Sequence, residues 1–568
     1  MPGPRRRNAG FVPPDRPELF PGPEWPEPPR PVAPSPELLR RHGARVLWPT
    51  DVPPGDDGAP IEPTVYRADT LLSPRGARDN AAFVQFARGA LRESGLGVAD
   101  EPDQRPSAAG VFRLIALPGE ERDRPIEQPV DAWRALHLIR FRARGTDFAT
   151  DANRFSLDHL LFGSAMFGLG IAGAPATEGH PATEGHPATE GHHAPGGVLG
   201  YLGRIPLTLL ADPPPRRQVT ELPGGRRPVV AVLDTGVGAH PWLDSAVAAQ
   251  ADFLVDPASL GWSPREPIPD PEDTGRLLAP LIGVLDSHAG HGTFIAGLVR
   301  QIAPDARVLP VRVMYSDGVV REHDLISALT ALRDRVRSGA PEDFVDVISL
   351  SLGYYHEQPR DAGFTSILAT LLWEIADLGV AIVASAGNDA TARPLFPAAL
   401  AAAGNQPRTP LTSVGALNPN GTRAMYSNEA GWVTRWEPGT ALVSTFPVTF
   451  GGSTTPALRL PAAQPDQVRE AVDADDFSCG FGRWSGTSFA APVLAAKVAK
   501  ALLAGSERAR QPGQLRDVTP TASSRRVSRG LQAAPAPPTP AQAAAAPAKA
   551  APAKRARRAR RARKATGS

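Results

Sequence analysis

A carboxylate, an imidazole, a carboxamide and a hydroxyl stand in this sequence at positions where each has a chemical use. The apolar run VVAVL, residues 229–233, stops at Asp234, which is followed by Thr235 and Gly236. At the carboxyl end of a buried strand a carboxylate is partly buried and aimed at a partner, and an unpaired one there is costly. His291 stands in GHGTFIAGLV, between two glycines at the start of an apolar-periodic helix. Small neighbours let another backbone approach the ring, and an imidazole takes and returns a proton near neutral pH. Asn388 closes AIVASAGN, a buried-strand pattern, where its amide can donate to an oxygen that gains charge. Ser488, in WSGTSFAAPVLAAKVAKALL, falls where an apolar helix begins, so the helix N-terminus adds positive potential beside its hydroxyl. Each string alone has a plainer reading: a turn at Asp-Thr-Gly or Gly-Asn, a capping or core histidine, an N-cap serine. His288, three residues before His291, lacks such a context and reads as structural.

Positioning these groups requires elements that bring residues 234, 291, 388 and 488 to one edge. Strand-like runs at 229–234, 306–314, 345–352 and 381–387 alternate with helical runs at 291–301, 322–338 and 363–378. That alternation predicts an α/β fold, a parallel sheet with helices on both faces. Pro492 falls in the first turn of the last helix or just beyond, where a missing N–H is tolerated.

Taken together, VLDTGVGAHPWL, GHGTFIAG, SAGND and SGTSFAAPV, in that order, resemble the subtilisin-type serine proteases, the subtilases. The resemblance covers residues 228–503 and implies an acyl-enzyme mechanism on peptide bonds. It assigns Ser488 as nucleophile, His291 as base, Asp234 as its orienting partner and Asn388 as oxyanion donor. VDVISLSLG resembles the family's substrate-binding strand, making Ser351, Leu352 and Gly353 one wall of the pocket. No cofactor is required for that chemistry. Family calcium sites are loop-built and none is matched here, so no metal ligand is assigned.

Outside that region the chain changes character. Pro makes up 64 of the 568 residues, concentrated at the ends and joints. Residues 1–62 read as a Pro-rich disordered arm and 63–160 as a small α/β (α+β) domain of the size of an inhibitory prodomain or a regulatory domain. Residues 161–227 read as a linker that holds three PATEGH copies and a Pro/Arg-rich joint, 228–504 as the protease-like domain, and 505–568 as a disordered tail. The tether at 175–197 or the joint at 215–227 offers an accessible place for self-cleavage. His180, His186, His192 and His193 lack the spacing of a metal site. A long insertion at 447–482 could shape the cleft, and its Asp473, Asp475 and Asp476 read first as a solvated acidic loop.

Net charge is +2, yet the last 36 residues carry nine basic side chains and no acidic one. A tail of this kind suits polyanion or nucleic-acid binding, which is the competing functional class: a nucleic-acid-associated protein with the protease-like domain as cargo. The single cysteine, Cys479, excludes an intrachain disulfide, and no apolar run follows the basic N-terminus. Both features suit the cytoplasm. The uncharged stretch 160–177 is too rich in Gly and Ala to read as a membrane span, so the partner expected is a protein or peptide substrate.

Overall fold

The structure, a computed structural model, describes residues 34–50, 61–99, 107–117, 129–163, 203–244, 270–278, 281–358, 366–403, 409 and 411–505, the last stretch without 455, 457, 465, 466 and 474. The N-terminal part runs α1 (Pro36–Arg41), β1 (Ala44–Leu47), β2 (Thr64–Pro74), α2 (Arg75–Arg78), α3 (Ala81–Arg92), β3 (Leu96–Val98), β4 (Ala109–Ala116), α4 (Ala132–Ala143), α5 (Ala149–Asn153) and β5 (Ser156–Phe162). The body follows as β6 (Ile205–Leu207), β7 (Val229–Asp234), α6 (His291–Ile302), β8 (Arg307–Arg312), β9 (Val319–Arg321), α7 (Glu322–Ser338), β10 (Val347–Leu350), α8 (Ile367–Asp377) and β11 (Ala381–Ser385). It ends with β12 (Thr412–Leu417), β13 (Arg435–Pro438), β14 (Leu442–Thr445), β15 (Leu458–Pro461), β16 (Val468–Ala471), β17 (Phe481–Trp484) and α9 (Thr487–Gly505).

The expected parallel sheet is present, in the order β13-β12-β11-β10-β7-β8, with every neighbouring pair parallel. Successive strand residues point to opposite faces, and the core divides accordingly. Val229, Ala231 and Leu233 of β7, with Ile348 and Leu350 of β10, pack on the layer of α7 and α8. Val230, Val232 and Val347 face the layer of α6 and α9. The strands therefore read as continuous apolar runs because both faces are covered. Among the described residues, no helix is long and apolar enough to cross a membrane.

The N-terminal part has its own core, with Leu71, Phe83, Leu91, Phe112, Leu136 and Phe155 all buried under α3 and α4. Its sheet, however, does not stop at its own strands: β3-β4-β2-β5 continues onto β9 of the body, with all pairs antiparallel. Leu38, Val65, Leu72, Ala109 and Leu160–Phe162 are shared with the core of the α7–α8 layer.

Two expected boundaries move. Residues 34–50, assigned to a disordered arm, form α1 and β1, because Ser35 caps the helix through Leu38 N–H, Pro36 starts it and Leu38 is buried. Residues 203–227, assigned to the linker, carry β6, which pairs with β17. The arginines of the joint are engaged as well: Arg216 donates to Pro304 O and Ala306 O, Arg217 pairs with Asp305, and Arg226 pairs with Asp346. The PATEGH repeats and the basic tail lie outside the described residues.

Candidate active site

Asp234 ends β7 at the sheet's carboxyl edge and is fully buried. Burial there is offset by partners: Thr235 N–H donates to Oδ1 at 2.8 Å, and His291 Nδ1 lies 2.8 Å from Oδ1 and 3.0 Å from Oδ2. The pairing fixes the tautomer, Nδ1–H toward Asp234 and Nε2 on the opposite side. His291 is the first residue of α6. The ring is wedged by aromatic neighbours, with Trp484 at 5.4 Å in an edge arrangement and Phe489 at 5.1 Å between centroids. Glycine beside the histidine has a definite cause: a Cβ on Gly292 would lie 2.1 Å from Gly236 O, so the loop after Asp234 and the start of α6 meet backbone to backbone.

Ser488 is the second residue of α9, and its neighbour Phe489 is the ring against His291. Its backbone carbonyl is freed by chemistry four residues on, because Pro492 has no N–H to donate to it. Ser351 Oγ donates to that carbonyl at 2.7 Å, and Ser488 Oγ donates to Ser351 O at 3.3 Å. A proline inside the helix thus couples the nucleophile candidate to the strand proposed to hold substrate.

Asn388 follows β11, and its Oδ1 accepts from Thr487 N–H and Thr487 Oγ1, both at 2.9 Å. That leaves Nδ2, which is buried and has no hydrogen-bond partner among the described residues. A buried donor without a partner costs about 1–3 kcal/mol, and this one stands beside the N-terminus of α9 with its N–H groups free to meet an acceptor. Asp234, His291, Asn388 and Ser488 are thereby joined by one web of contacts running through Thr235, Phe489, Thr487 and Ser351.

Leu352 is buried, and Gly353 sits where a Cβ would meet Leu395 Cγ at 2.7 Å and Phe396 O at 2.9 Å. The other edge of this segment is occupied. Phe162 N–H donates to Gly353 O at 2.8 Å and Gly353 N–H to Phe162 O at 3.0 Å. On its far side β5 pairs with β9, Leu160 to Arg321 and Phe162 to Val319. The next residue, Gly163, donates to Gly318 O at 2.8 Å and accepts from His288 Nε2 at 2.6 Å. His288, read as structural, is buried and tied to the Gly163 carbonyl, its ring 5.3 Å from that of His291. Burial and the neighbouring His291 push its pKa down to about 4, leaving it a neutral donor.

One further group had no signal in the sequence. Glu272 is fully buried behind the Asp234–His291 pair; Thr235 Oγ1, Thr293 Oγ1 and Gly290 N–H all donate to its carboxylate oxygens. It ties the loop after Asp234 to the first turn of α6. Burial pushes its pKa up to about 8, against the pull of the two threonine hydrogen bonds. The acidic trio of the insertion also has structural work: Asp473 accepts from Leu285 N–H and Asp475 N–H, and Asp476 from Ser478 N–H.

The subtilase family model matches residues 225–537, more than half of the chain. The thermophilic serine proteinase of Bacillus sp. (strain AK1) is 29% identical over 219 residues, 38% of this chain and 45% of that protein. Subtilisin E of Bacillus subtilis (strain 168) is 26% identical over 235 residues, 41% of this chain and 52% of that protein. The chain spans about half the length of the curated relatives it matches. The crystal structure of fervidolysin from Fervidobacterium pennivorans aligns at 17% identity and a TM-score of 0.40, over 79% of this chain and 56% of that one. With the family's model extending over every one of the four strings that carry Asp234, His291, Asn388 and Ser488, this chain belongs to the subtilase family.

Proposed function

We propose that the chain is a serine endopeptidase that works through an acyl-enzyme on Ser488 and is held shut by its own N-terminal part. His291 Nε2 takes the Ser488 proton as the hydroxyl attacks a peptide carbonyl, and Asp234 stabilises the imidazolium. Asn388 Nδ2 and the Ser488 N–H receive the charge that develops on the carbonyl oxygen. His291 then returns the proton to the leaving amine, and water repeats the sequence on the ester.

The observation that carries the inhibited state is the reciprocal pair of hydrogen bonds between Phe162 and Gly353. A peptide substrate binds such an exposed strand edge by adding as a further strand, and β5 already fills the slot between Gly353 and β9. Ser351 lies two residues before Gly353, and its carbonyl is 3.3 Å from Ser488 Oγ. The cut is expected in the tether at 175–197 rather than in the Arg-rich joint, whose arginines are engaged on the body.

Intact-mass comparison of the wild type with Ser488→Ala tests the reading. The wild type is expected to be cut between residues 175 and 197, and the variant to stay whole. Identical masses in a sample that hydrolyses peptides would remove the self-processing step, and an inert wild type of full length would remove the peptidase assignment.

A further inference from the structure

Arg204 lies just ahead of β6, upstream of the family match that begins at residue 225. β6 pairs antiparallel with β17, Ile205 opposite Arg483, so the residue before Ile205 falls beside Trp484. The central carbon of the Arg204 guanidinium stands 5.7 Å from the centre of the Trp484 ring. Trp484 is fully buried, and its ring is the one set edge-on against His291 at 5.4 Å. The imidazole is thus backed by an aromatic plane that Arg204 backs in turn.

The same guanidinium holds the loop that leads into α6. Nη1 donates to Asp286 O at 2.7 Å, to Ala289 O at 3.1 Å and to Ser287 O at 3.3 Å, and Nη2 donates to Leu285 O at 2.9 Å. Four carbonyl oxygens from five consecutive residues turn to one cation, and His291 follows two residues later. Carbonyl oxygens gathered in this way repel one another, and the loop keeps its shape only while donors lie between them. A planar fork of N–H groups serves several acceptors in one fixed geometry, which the compact ammonium of a lysine does not reproduce. Burial lowers the pKa of Arg204, while the carboxylates of Asp473, Asp475, Asp286 and Glu272 pull it the other way. Two of these belong to the 447–482 insertion, and Asp473 also accepts from Leu285 N–H at 2.7 Å, so the insertion and Arg204 hold the same loop.

We propose that Arg204 is a positioning residue of the active site: its guanidinium fixes the 285–289 loop and the Trp484 ring so that His291 keeps the orientation in which it is bonded to Asp234. Arg204 acts through His291, so its effect on turnover rests on the function proposed above. The carbonyl cage it fills stands independently of that reading. Residue 204 lies after the tether at 175–197, so a cut there leaves Arg204 with the body, where it is needed.

Guanidinium chloride at millimolar, non-denaturing concentration is the probe. In the full chain, Arg204→Ala is expected to lower kcat on a chromogenic peptide about 10²-fold with KM little changed. Guanidinium chloride is expected to restore a large part of the loss, and sodium chloride at equal ionic strength none of it. A kcat equal to the parent's overturns the proposal, as does a loss that guanidinium leaves untouched, which is what a merely structural role would give. Arg204→Lys keeps the charge without the fork and covers the case in which the alanine variant fails to fold. It is expected to lose kcat by a smaller factor, and a kcat equal to the parent's in it would overturn the role given to the fork. The cage is read without activity in the Ser488→Ala chain. There, guanidinium chloride is expected to raise the melting temperature of the Arg204→Ala form, by binding its folded state, and not that of the parent. That rise with an inert wild type would keep the cage and remove the peptidase reading, whereas its absence with an active wild type would remove the cage.

Discussion

Asn388 does two jobs with two atoms, and the jobs separate experimentally. Its Oδ1 caps Thr487 at the start of α9, while Nδ2 is left without a partner. Asn388→Ala is expected to lower kcat on a chromogenic peptide about 10²- to 10³-fold with little change in KM, a magnitude carried over from the family rather than derived from this geometry. The same change is expected to cost about 1 kcal/mol of stability through the lost cap, read as a lowered melting temperature. A full loss of activity with unchanged melting would contradict the double role. Glu272 gives a second prediction at this scale. An acid whose pKa is higher folded, about 8, than in the unfolded chain, 4.5, favours the folded state while protonated. That contribution is whole below about pH 4.5 and is lost progressively as pH rises toward 8. In a Ser488→Ala background, Glu272→Gln keeps a neutral bridge and should flatten the decline, so its melting temperature gains on the parent's between those limits. Parallel melting profiles across that range would remove Glu272 as the source.

Elements differ in how openly the sequence declares them. β7, β10 and β11 are continuous apolar runs, and α6, α7 and α8 are periodic, so each is legible within a few residues. The Asp234 and His291 positions follow from them, since one ends a strand and the other begins a helix. α1 was legible too, in Ser35, Pro36 and the buried Leu38, but lay hidden in a Pro-dense stretch. What pattern cannot declare is pairing between distant segments. Nothing in SLDHLLF shows that it will lie between β9 and Gly353, because strand partners are chosen by tertiary contact. For the same reason Glu272 carried no signal: its partners Thr235, Gly290 and Thr293 come from either side of a long loop. The role proposed for β5 gives a prediction for the element. Phe162→Pro removes the N–H given to Gly353 O, and the variant is expected to shorten the lag before peptide hydrolysis several-fold in progress curves. A lag equal to that of the wild type would show that this ladder does not control access.

At the scale of the molecule, two cores are joined by one sheet. The N-terminal part has a core of its own, yet β5 continues its sheet onto β9, and Leu38, Leu72 and Leu160 belong to the core of the α7–α8 layer. Polar pairs reinforce the seam: Arg41 with Asp317 at 2.9 Å, His42 with the same carboxylate at 2.9 Å, and Asp158 with His323 at 2.7 Å. The last pair is buried. Burial opposes the charge on His323, but Asp158 and then Asp324 outweigh it and raise the pKa above the ordinary imidazole value. Breaking one partner of such a pair leaves a buried charge uncompensated, at a cost of about 3–5 kcal/mol. Cutting the chain is therefore not expected to part the N-terminal part from the body. If one PATEGH copy in the Ser488→Ala chain is replaced by the recognition sequence of a site-specific protease, cleavage there is expected to leave both fragments in a single peak on size exclusion at micromolar concentration. Adding Asp158→Asn, which takes the charge from His323's partner, should let the N-terminal fragment elute separately. Separation without that substitution would mean that the seam is weaker than its ladder and ion pairs imply, and that covalent linkage alone keeps β5 in place.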